Sequence, residues 1–257
     1  MRQFIKFLVR HVPRIYLIRF SFAFSKIFAL FYRGNKQYCP ICEGHFRKFL
    51  PYGYTDTNSE NRLCPSCLSL ERHRQIWKYL ENETNIFTQP TKLLHIAPEQ
   101  SFYQKFKKIK TLDYYTGDLE SPLAKYHFDI HQIPFDDNSF DVVMCNHVLE
   151  HVSDEFKASS EIYRVLKPGG WAILQVPINP TFETTYEDAS ITNPKEREKH
   201  FGQYDHVRWH GLDYPKRLEK SGFKVESLDY TNTFSATEIE RMRLPIGELL
   251  YIARKTS

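Results

Sequence analysis

From residue 92 onward, the chain alternates between short apolar runs and stretches with helical spacing. The apolar runs cover residues 92–97, 111–118, 126–130, 140–147, 171–176, 223–230 and 248–254. The helical stretches cover about residues 100–109, 154–167 and 213–221. This alternation is typical of an α/β fold with a mostly parallel sheet between helices. No clear helix separates the last two runs, so we expect the final strand to be antiparallel.

Residues 1–36 follow a different pattern, in which aromatic and aliphatic residues surround basic ones. Over residues 1–33 the basic residues are Arg2, Lys6, Arg10, Arg14, Arg19, Lys26 and Arg33. No charge-free apolar run approaches the roughly 20 residues that span a bilayer. We predict amphipathic helices with two alternative uses. They lie in the headgroup layer of an anionic membrane, or they pack on the protein's own body or on a second subunit.

The charge distribution limits the class of partner. Residues 1–33 carry seven basic groups and no acid, so the net charge of +4 for all 257 residues leaves −3 for the rest. A body without excess positive charge disfavours nucleic acid as a partner. Four of the five cysteines occur in pairs, which suits a reducing compartment. We expect a cytoplasmic protein, peripheral on the inner face of the membrane if the N-terminal helices bind there.

Two CxxC pairs predict a metal module over residues 37–82. Cys39 and Cys42 form the first pair, and Cys64 and Cys67 follow after 21 intervening residues. Two such turns close a thiolate tetrahedron that suits structural Zn²⁺, with no open position for water. The alternatives are four free cysteines or an iron centre on the same ligands. Residues 68–80 then predict a helix linking the module to the next domain.

Three linked motifs carry a resemblance to a known family. They are FDVVMCNHVLEHV at residues 140–152, EIYRVLKPGGWAIL at residues 161–174, and the polar segment 129–141 that precedes them. In this order they resemble class I S-adenosylmethionine-dependent methyltransferases, over about residues 92–255. The resemblance implies a Rossmann-like, doubly wound sheet of about seven strands over residues 90–257, with S-adenosylmethionine as the cofactor.

Ligands of open α/β sheets bind beyond the carboxyl ends of the strands. Asp118 ends the second predicted strand, 21 residues after Ala97 ends the first. At about this spacing, a carboxylate in dinucleotide-binding folds accepts hydrogen bonds from a ribose diol. The resemblance implies that Asp129 and the Ile130 amide bind the adenine, and that Asn146 faces the methionine part. For Asp118 and Asp129 the alternative is a turn or cap residue. Ala97 is small enough for a ligand to approach the backbone.

The first loop departs from the family pattern. Relatives commonly place an acid and a GxGxG loop after the first strand, whereas this chain reads LHIAPEQS at residues 94–101, without glycine. S-adenosylmethionine carries no phosphate, so a phosphate cradle is not required. Glu99 is our candidate replacement for the missing acid, as an acceptor for the cofactor's ammonium group.

Residues 177–210 form a long polar insert, which predicts a lid or a binding loop beside the methyl group. Methyl transfer depends mostly on alignment, and an oxygen acceptor benefits from a base that titrates near neutrality. His206 or His210 is the candidate base, Asp205 orients it, and Arg208 binds an anionic acceptor group. The alternative is a loop held by its own polar contacts.

These patterns favour methyl transfer to an oxygen of a small-molecule, glycan or lipid-linked acceptor at the cytosolic membrane face. One alternative is an RNA methyltransferase, because some ribosomal-RNA enzymes also join a zinc module to this fold. The other is an inactive binding relative that lost its glycine loop.

Overall fold

The structure is a computed structural model that describes residues 24–25, 27–53 and 60–256. Its first sheet is a hairpin of β1 (Arg33–Cys39) and β2 (Gly44–Phe46), paired antiparallel. Cys39 ends β1 and Cys42 lies in the turn of this hairpin. An isolated antiparallel bridge from Leu50 to Leu63 closes the segment before the second pair. Helix α1 (Glu71–Glu83) follows, close to the predicted linker helix.

The main sheet has seven strands. In chain order they are β3 (Thr91–Ile96), β4 (Leu112–Asp118), β5 (Tyr126–His127), β6 (Phe140–Asn146), β7 (Leu166–Gln175), β10 (Lys224–Leu228) and β11 (Leu250–Arg254). They are ordered β10-β11-β7-β6-β3-β4-β5 across the sheet. Only β11 runs antiparallel to its neighbours β7 and β10. The predicted seven strands and the antiparallel last strand are therefore confirmed.

The remaining elements connect these strands. They are α2 (Gln100–Phe106), α3 (Glu155–Val165), β8 (Tyr186–Glu187), α4 (Pro194–Phe201), β9 (Arg208–Trp209), α5 (Tyr214–Glu219) and α6 (Ala236–Met242). The structure adds α6 between the last two strands, where we predicted no helix. The side chains of Ser235 and Glu238 form a capping box that starts α6, which is a signal that the sequence does contain.

One hydrophobic core joins the cysteine module to the sheet. The same buried cluster contains Cys39 and Phe46 from the hairpin, Trp77 from α1, and Met144 and Ile252 from the sheet. The module therefore packs directly on one face of the sheet. A second cluster, which includes Ile162 of α3 and Leu218 of α5, covers the other face.

Arg74 of α1 adds polar bonds to this junction and is fully buried. Its guanidinium donates to the carbonyl oxygens of Ser69 and Arg62 in the module, at 2.8 and 3.1 Å. It also donates to those of Met242 and Arg243, at 2.5 and 3.0 Å. One buried cation thus ties the module to the end of α6 through four hydrogen bonds to carbonyl oxygens.

Most of the predicted N-terminal helical segment lies outside the described residues. Residues 27–31 are helical, and the side chains of Ile27, Phe28, Leu30 and Phe31 are exposed. Within the described ranges, none of the helices combines the length and apolar character needed to cross a bilayer.

Candidate functional site

The carboxyl ends of β3 and β6 meet at one edge of the sheet, since the two strands are parallel neighbours. Directly after each strand comes a non-glycine residue in the left-handed region, Ala97 with φ 51° and His147 with φ 55°. Such backbone costs about 1–2 kcal/mol per residue and is often found at functional sites. Ala97 thus adopts a conformation that glycine adopts readily.

Glu99, at the start of α2, joins three elements at this edge. Its carboxylate accepts from Nε2 of His95 at 2.5 Å and from Nδ2 of Asn146 at 3.0 Å. Nε2 of His73, on α1, lies 3.9 Å away. Burial opposes ionisation of Glu99, but His95, His73 and Asn146 outweigh it and lower its pKa to about 2. The site therefore contains a fixed, partly buried negative charge.

His73 carries the cysteine module's contribution to the site. Its Nδ1 accepts from the backbone N–H of Leu70 at 3.1 Å. Burial, and then the charge of Arg72, lower the pKa of His73 to about 3. The ring is therefore neutral, and its Nε2 carries a proton that faces Glu99.

A row of buried polar atoms at this edge lacks hydrogen-bond partners within the part of the chain that the structure describes. It comprises His73 Nε2, Asn146 Oδ1, His147 Nε2 and Glu150 Oε2. An unpaired buried polar atom costs about 1–3 kcal/mol, so such atoms are rare in folded proteins. Three of these atoms lie at the end of β6 or in the loop after it, and the fourth lies on α1, 3.9 Å from the Glu99 carboxylate. Unpaired polar atoms beside a strand end are what a ligand site requires.

The predicted nucleoside contacts lie farther along the same edge, beyond β4 and β5. Asp118 ends β4, and its Oδ1 accepts from the backbone N–H groups of Glu120 and Ser121 at 2.8 and 2.7 Å. Asp129 follows β5, and its Oδ1 accepts from the N–H of His131 at 2.9 Å. Ile130 is buried beside it. All six predicted cofactor residues thus lie at the carboxyl ends of four adjacent strands, β6, β3, β4 and β5.

The polar insert lies over the loop that follows β6. The N–H of Val207 donates to the carbonyl oxygen of Glu150 at 2.9 Å. The buried guanidinium of Arg208 donates to the carbonyl oxygens of Leu149 and Val152 at 2.6 and 2.7 Å. The insert therefore lies beside the strand end where we expected the acceptor. It is not structureless, because β8 and β9 pair within it.

The two candidate bases have different surroundings. His206 is 8% exposed and its Nδ1 lies 3.1 Å from the carbonyl oxygen of Phe201. His210 is fully buried, and its Nε2 is 2.8 Å from the Glu155 carboxylate. That carboxylate also pairs with Arg217, which ties the insert to α3 and α5. Asp205 has a half-exposed carboxylate, and its carbonyl oxygen lies 3.2 Å from Nδ1 of His151.

The four predicted metal ligands form a compact cluster. The Sγ atoms of Cys39, Cys42, Cys64 and Cys67 all lie within 4.8 Å of one another. The Cys39–Cys67 and Cys42–Cys64 separations are 3.5 and 3.7 Å. Four Zn–S bonds of ~2.3 Å require sulfur atoms about 3.8 Å apart. The thiols therefore fit a tetrahedral zinc ion, and the Ser69 hydroxyl lies 3.3 Å from Cys39 Sγ.

A cavity of about 300 Å³ lies at the opposite edge of the sheet, near the amino ends of β3 and β6. Tyr79, Glu83, Asp141 and Trp171 line part of it. Ligands of parallel sheets bind beyond the carboxyl ends of the strands. This cavity is therefore separate from the candidate site.

Sequence reasoning missed several members of the site. Residues 68–80 were expected to connect the module to the next domain, but nothing in the sequence placed His73 of this helix beside Glu99. The Tyr114 hydroxyl, 2.9 Å from His95 Nδ1, had no sequence signal. Glu150 did have one, because it lies between His147 and His151 in the motif that follows β6.

Residues 93–174 match a family whose members are described as methyltransferase domains. The chain contains a methyltransferase domain. The match covers β3 to β7, and so it includes Ala97, Glu99 and Asn146.

Two relatives agree with this domain over part of their length. The demethylmenaquinone methyltransferase of Staphylococcus epidermidis is 42% identical over 66 residues, which are 26% of this chain and 27% of the relative. The S-adenosylmethionine-dependent methyltransferase, named as probable, of Mycolicibacterium smegmatis is 29% identical over 126 residues, 47% of this chain and 45% of the relative. The chain thus spans about a quarter of the first relative and less than half of the second.

The crystal structure of the [4+2]-cyclase SpnF resembles this chain with a TM-score of 0.50 at 14% identity, covering 85% of this chain and 91% of the cyclase. A likeness at this identity shows the fold alone. The predicted Rossmann-like fold of the class I methyltransferases is therefore confirmed.

Proposed function

We propose that the protein transfers a methyl group from S-adenosylmethionine to an oxygen of a small-molecule, glycan or lipid-linked acceptor at the carboxyl edge of its sheet. The main support is the set of unpaired buried polar atoms at the end of β6, in the loop after it and on α1, near the charged Glu99. Asn146, His147 and Glu150 lie where the fold binds ligands and within the matched segment, residues 93–174.

The predicted cofactor residues lie along this edge in the order of the cofactor's amino-acid, ribose and adenine parts. Glu99 and Asn146 Oδ1 offer acceptors for an ammonium group. Oδ1 of Asp118 accepts from two backbone N–H groups of the loop that follows it. The other carboxylate oxygen of Asp118 would accept from a ribose hydroxyl. Asp129 and the Ile130 amide would bind the adenine. When bound, S-adenosylmethionine supplies a methyl group on a sulfonium, and the electrons of the broken C–S bond stay on sulfur.

The insert supplies the acceptor side. His206 lies beside the loop after β6, and we propose that it promotes loss of the acceptor's hydroxyl proton, which leaves an oxygen electron pair for the methyl carbon. Asp205, next to His206, would orient the neighbouring histidines, His151 and His206. The predicted role of Arg208 as a clamp for an anionic group remains a prediction, as does a base role for the fully buried His210.

The acceptor class is supported by the relatives. The Staphylococcus epidermidis relative is named for a small molecule, demethylmenaquinone, which favours a small-molecule acceptor over RNA. The −3 charge of residues 34–257 points the same way. A relative of this fold that does other chemistry is the alternative, because SpnF is a cyclase.

The first prediction concerns cofactor binding. Asp118→Ala should weaken S-adenosylmethionine binding by about 1.5–3 kcal/mol, the range for hydrogen bonds to a charged group. The matched control is Asp113→Ala, an exposed aspartate earlier in β4, which should bind as tightly as wild type. Isothermal titration calorimetry measures all three proteins. Equal affinity in Asp118→Ala would remove this residue from the cofactor site, and no binding by wild type would favour a non-enzymatic relative.

The second prediction concerns the insert. His206→Gln should lower turnover roughly 10²–10⁴-fold, the usual effect of losing acid–base assistance, and leave S-adenosylmethionine affinity nearly unchanged. Turnover is measured as radiolabelled methyl transfer to a library of phenols, sugar nucleotides and lipid-linked saccharides. His210→Gln should mainly lower the melting temperature, since it breaks a buried bond to Glu155. Turnover at the wild-type rate in His206→Gln would contradict its role.

We also propose that the cysteine cluster holds a structural zinc ion. The four sulfur atoms fit a tetrahedron, and Arg74 lies close enough to contribute favourable electrostatics to Cys39. Four protein ligands leave no position for water or substrate. The metal would therefore stabilise the junction between module and sheet and take no part in the reaction.

The third prediction is that the cysteine cluster binds one zinc ion per chain. Elemental analysis should find stoichiometric zinc in wild type and in Cys145→Ser, which changes the buried cysteine of β6 outside the cluster. Cys64→Ser should lose the metal and melt at a lower temperature, because zinc binding and folding of such modules are coupled. A metal-free wild-type preparation with unchanged melting would contradict the proposal.

We further propose that the N-terminal segment holds the protein on an anionic membrane surface. The described part supports this, because Ile27, Phe28 and Phe31 are 51%, 46% and 70% exposed. Apolar side chains beside basic residues bind membranes through buried area and charge together. A lipid-linked acceptor would then be close to the site.

The fourth prediction tests this surface. The full chain should cosediment with vesicles of phosphatidylcholine and phosphatidylglycerol, and less with phosphatidylcholine alone. Ile27→Gln combined with Phe31→Gln should weaken binding by at least about tenfold, given ~1.5–3 kcal/mol for each buried apolar side chain. Ile246→Gln, which changes an 82% exposed residue elsewhere, is the control. Equal cosedimentation of the double variant would favour the alternative, packing on protein.

A further inference from the structure

Three ligating side chains meet between the loop after β6 and the insert. Glu150, His151 and His206 each offer one oxygen or nitrogen atom, and these three atoms lie within 4.8 Å of one another. Two of the residues are adjacent in sequence, and the third comes from the insert. Neither the cofactor contacts nor the cysteine cluster uses this group.

Both imidazoles are oriented in the same way. Nδ1 of His206 lies 3.1 Å from the carbonyl oxygen of Phe201, and Nδ1 of His151 lies 3.2 Å from that of Asp205. A carbonyl oxygen only accepts, so each Nδ1 must carry the proton and donate it. The lone pair of each neutral ring is then on Nε2. Histidines that ligate metals usually donate their other ring N–H to a carbonyl or carboxylate in this way.

Glu150 supplies an independent observation. Its side chain is 1% exposed, and its Oε1 accepts from Nδ1 of His147 at 3.1 Å. Its Oε2 is buried and has no hydrogen-bond partner among the residues that the structure describes. A carboxylate oxygen buried without a donor is costly. A cation at this position would compensate for it.

We infer that Glu150, His151 and His206 form a binding site for a divalent transition-metal cation. Two imidazoles and one carboxylate are a ligand set of zinc and non-haem iron sites, and they leave coordination positions open. Mg²⁺ and Ca²⁺ prefer oxygen ligands and fit this set less well. The half-exposed carboxylate of Asp205 lies 3.5 Å from His151 Nδ1 and adds negative charge nearby.

The use of this cation rests on the proposed methyl transfer and refines one step of it. An acceptor hydroxyl bound at an open position would have a lowered pKa, as metal-bound water does. The O–H proton would pass to solvent, and the oxygen would keep the electron pair that forms the new bond to carbon. His206 would then promote proton loss by holding the cation.

Cobalt is the probe. Full-length protein with zinc in its cysteine site is titrated with Co²⁺, which binds less tightly than zinc and so leaves the thiolates to zinc. We expect one Co²⁺ per chain by calorimetry. It should give visible d–d absorption without a near-ultraviolet thiolate-to-cobalt band, because its ligands are nitrogen and oxygen. Excess Mg²⁺ should not displace it.

Variants assign the ligands. His151→Gln and His206→Gln should each weaken Co²⁺ binding at least about tenfold, since loss of a second-shell partner alone has an effect of this size. His151 is 30% exposed in its side chain, so that variant should fold even if substitution of a more buried ligand does not. The matched control is His200→Gln. It changes a histidine of the same insert that lies 3.7 Å from Glu196, and it should bind Co²⁺ as wild type does.

No Co²⁺ uptake by wild type beyond the cysteine site, or uptake by His151→Gln and His206→Gln equal to wild type, would overturn the inference. Binding of S-adenosylmethionine is measured on the same preparations. Cofactor binding without cobalt uptake would contradict the cation site alone, and cobalt uptake without cofactor binding would contradict only the proposed methyl transfer.

Discussion

The buried carboxylate of Glu99 is the interaction on which the candidate site depends. A charge in this position requires compensation, and β3 and β6 provide it through hydrogen bonds from His95 and Asn146. The pKa of about 2 shows that the surroundings of Glu99 outweigh the cost of burial. Helix α1 of the cysteine module also lies at this edge, where it brings Nε2 of His73 to 3.9 Å from the carboxylate.

The sheet was predictable because its signals are local. Apolar runs of strand length, interrupted by helical spacing, reflect burial on both faces of a parallel sheet, and the strand ends followed from them. Asp118 could be placed at the end of β4 for this reason. The helix α6 was missed although Ser235 and Glu238 form its capping box. The seven residues of α6 include only two large apolar side chains, Ile239 and Met242, so its helical period is hard to see.

The contacts between distant residues could not be predicted. The sequence contains eleven histidines, and residue type alone does not tell which of them is buried against a carboxylate. His206 and His210 are four residues apart on the insert, and the sequence favoured neither of them as the catalytic base. In the structure, His210 contacts the Glu155 carboxylate, within the polar network that joins the insert to α3. His206 instead lies beside Glu150 and His151. Only the folded chain makes that distinction.

The glycine-free first loop is explained by the backbone. Ala97 adopts φ 51° in spite of its Cβ, and its N–H donates to the carbonyl oxygen of Gly117 at 2.8 Å. The register of β3 on β4 therefore continues through the strained residue. His147 has the same conformation at the end of β6, where its N–H donates to Gln175 at 2.7 Å. Backbone strain persists only where the surroundings over-determine it. Two such conformations therefore lie at adjacent strand ends, at the edge where we propose that S-adenosylmethionine binds.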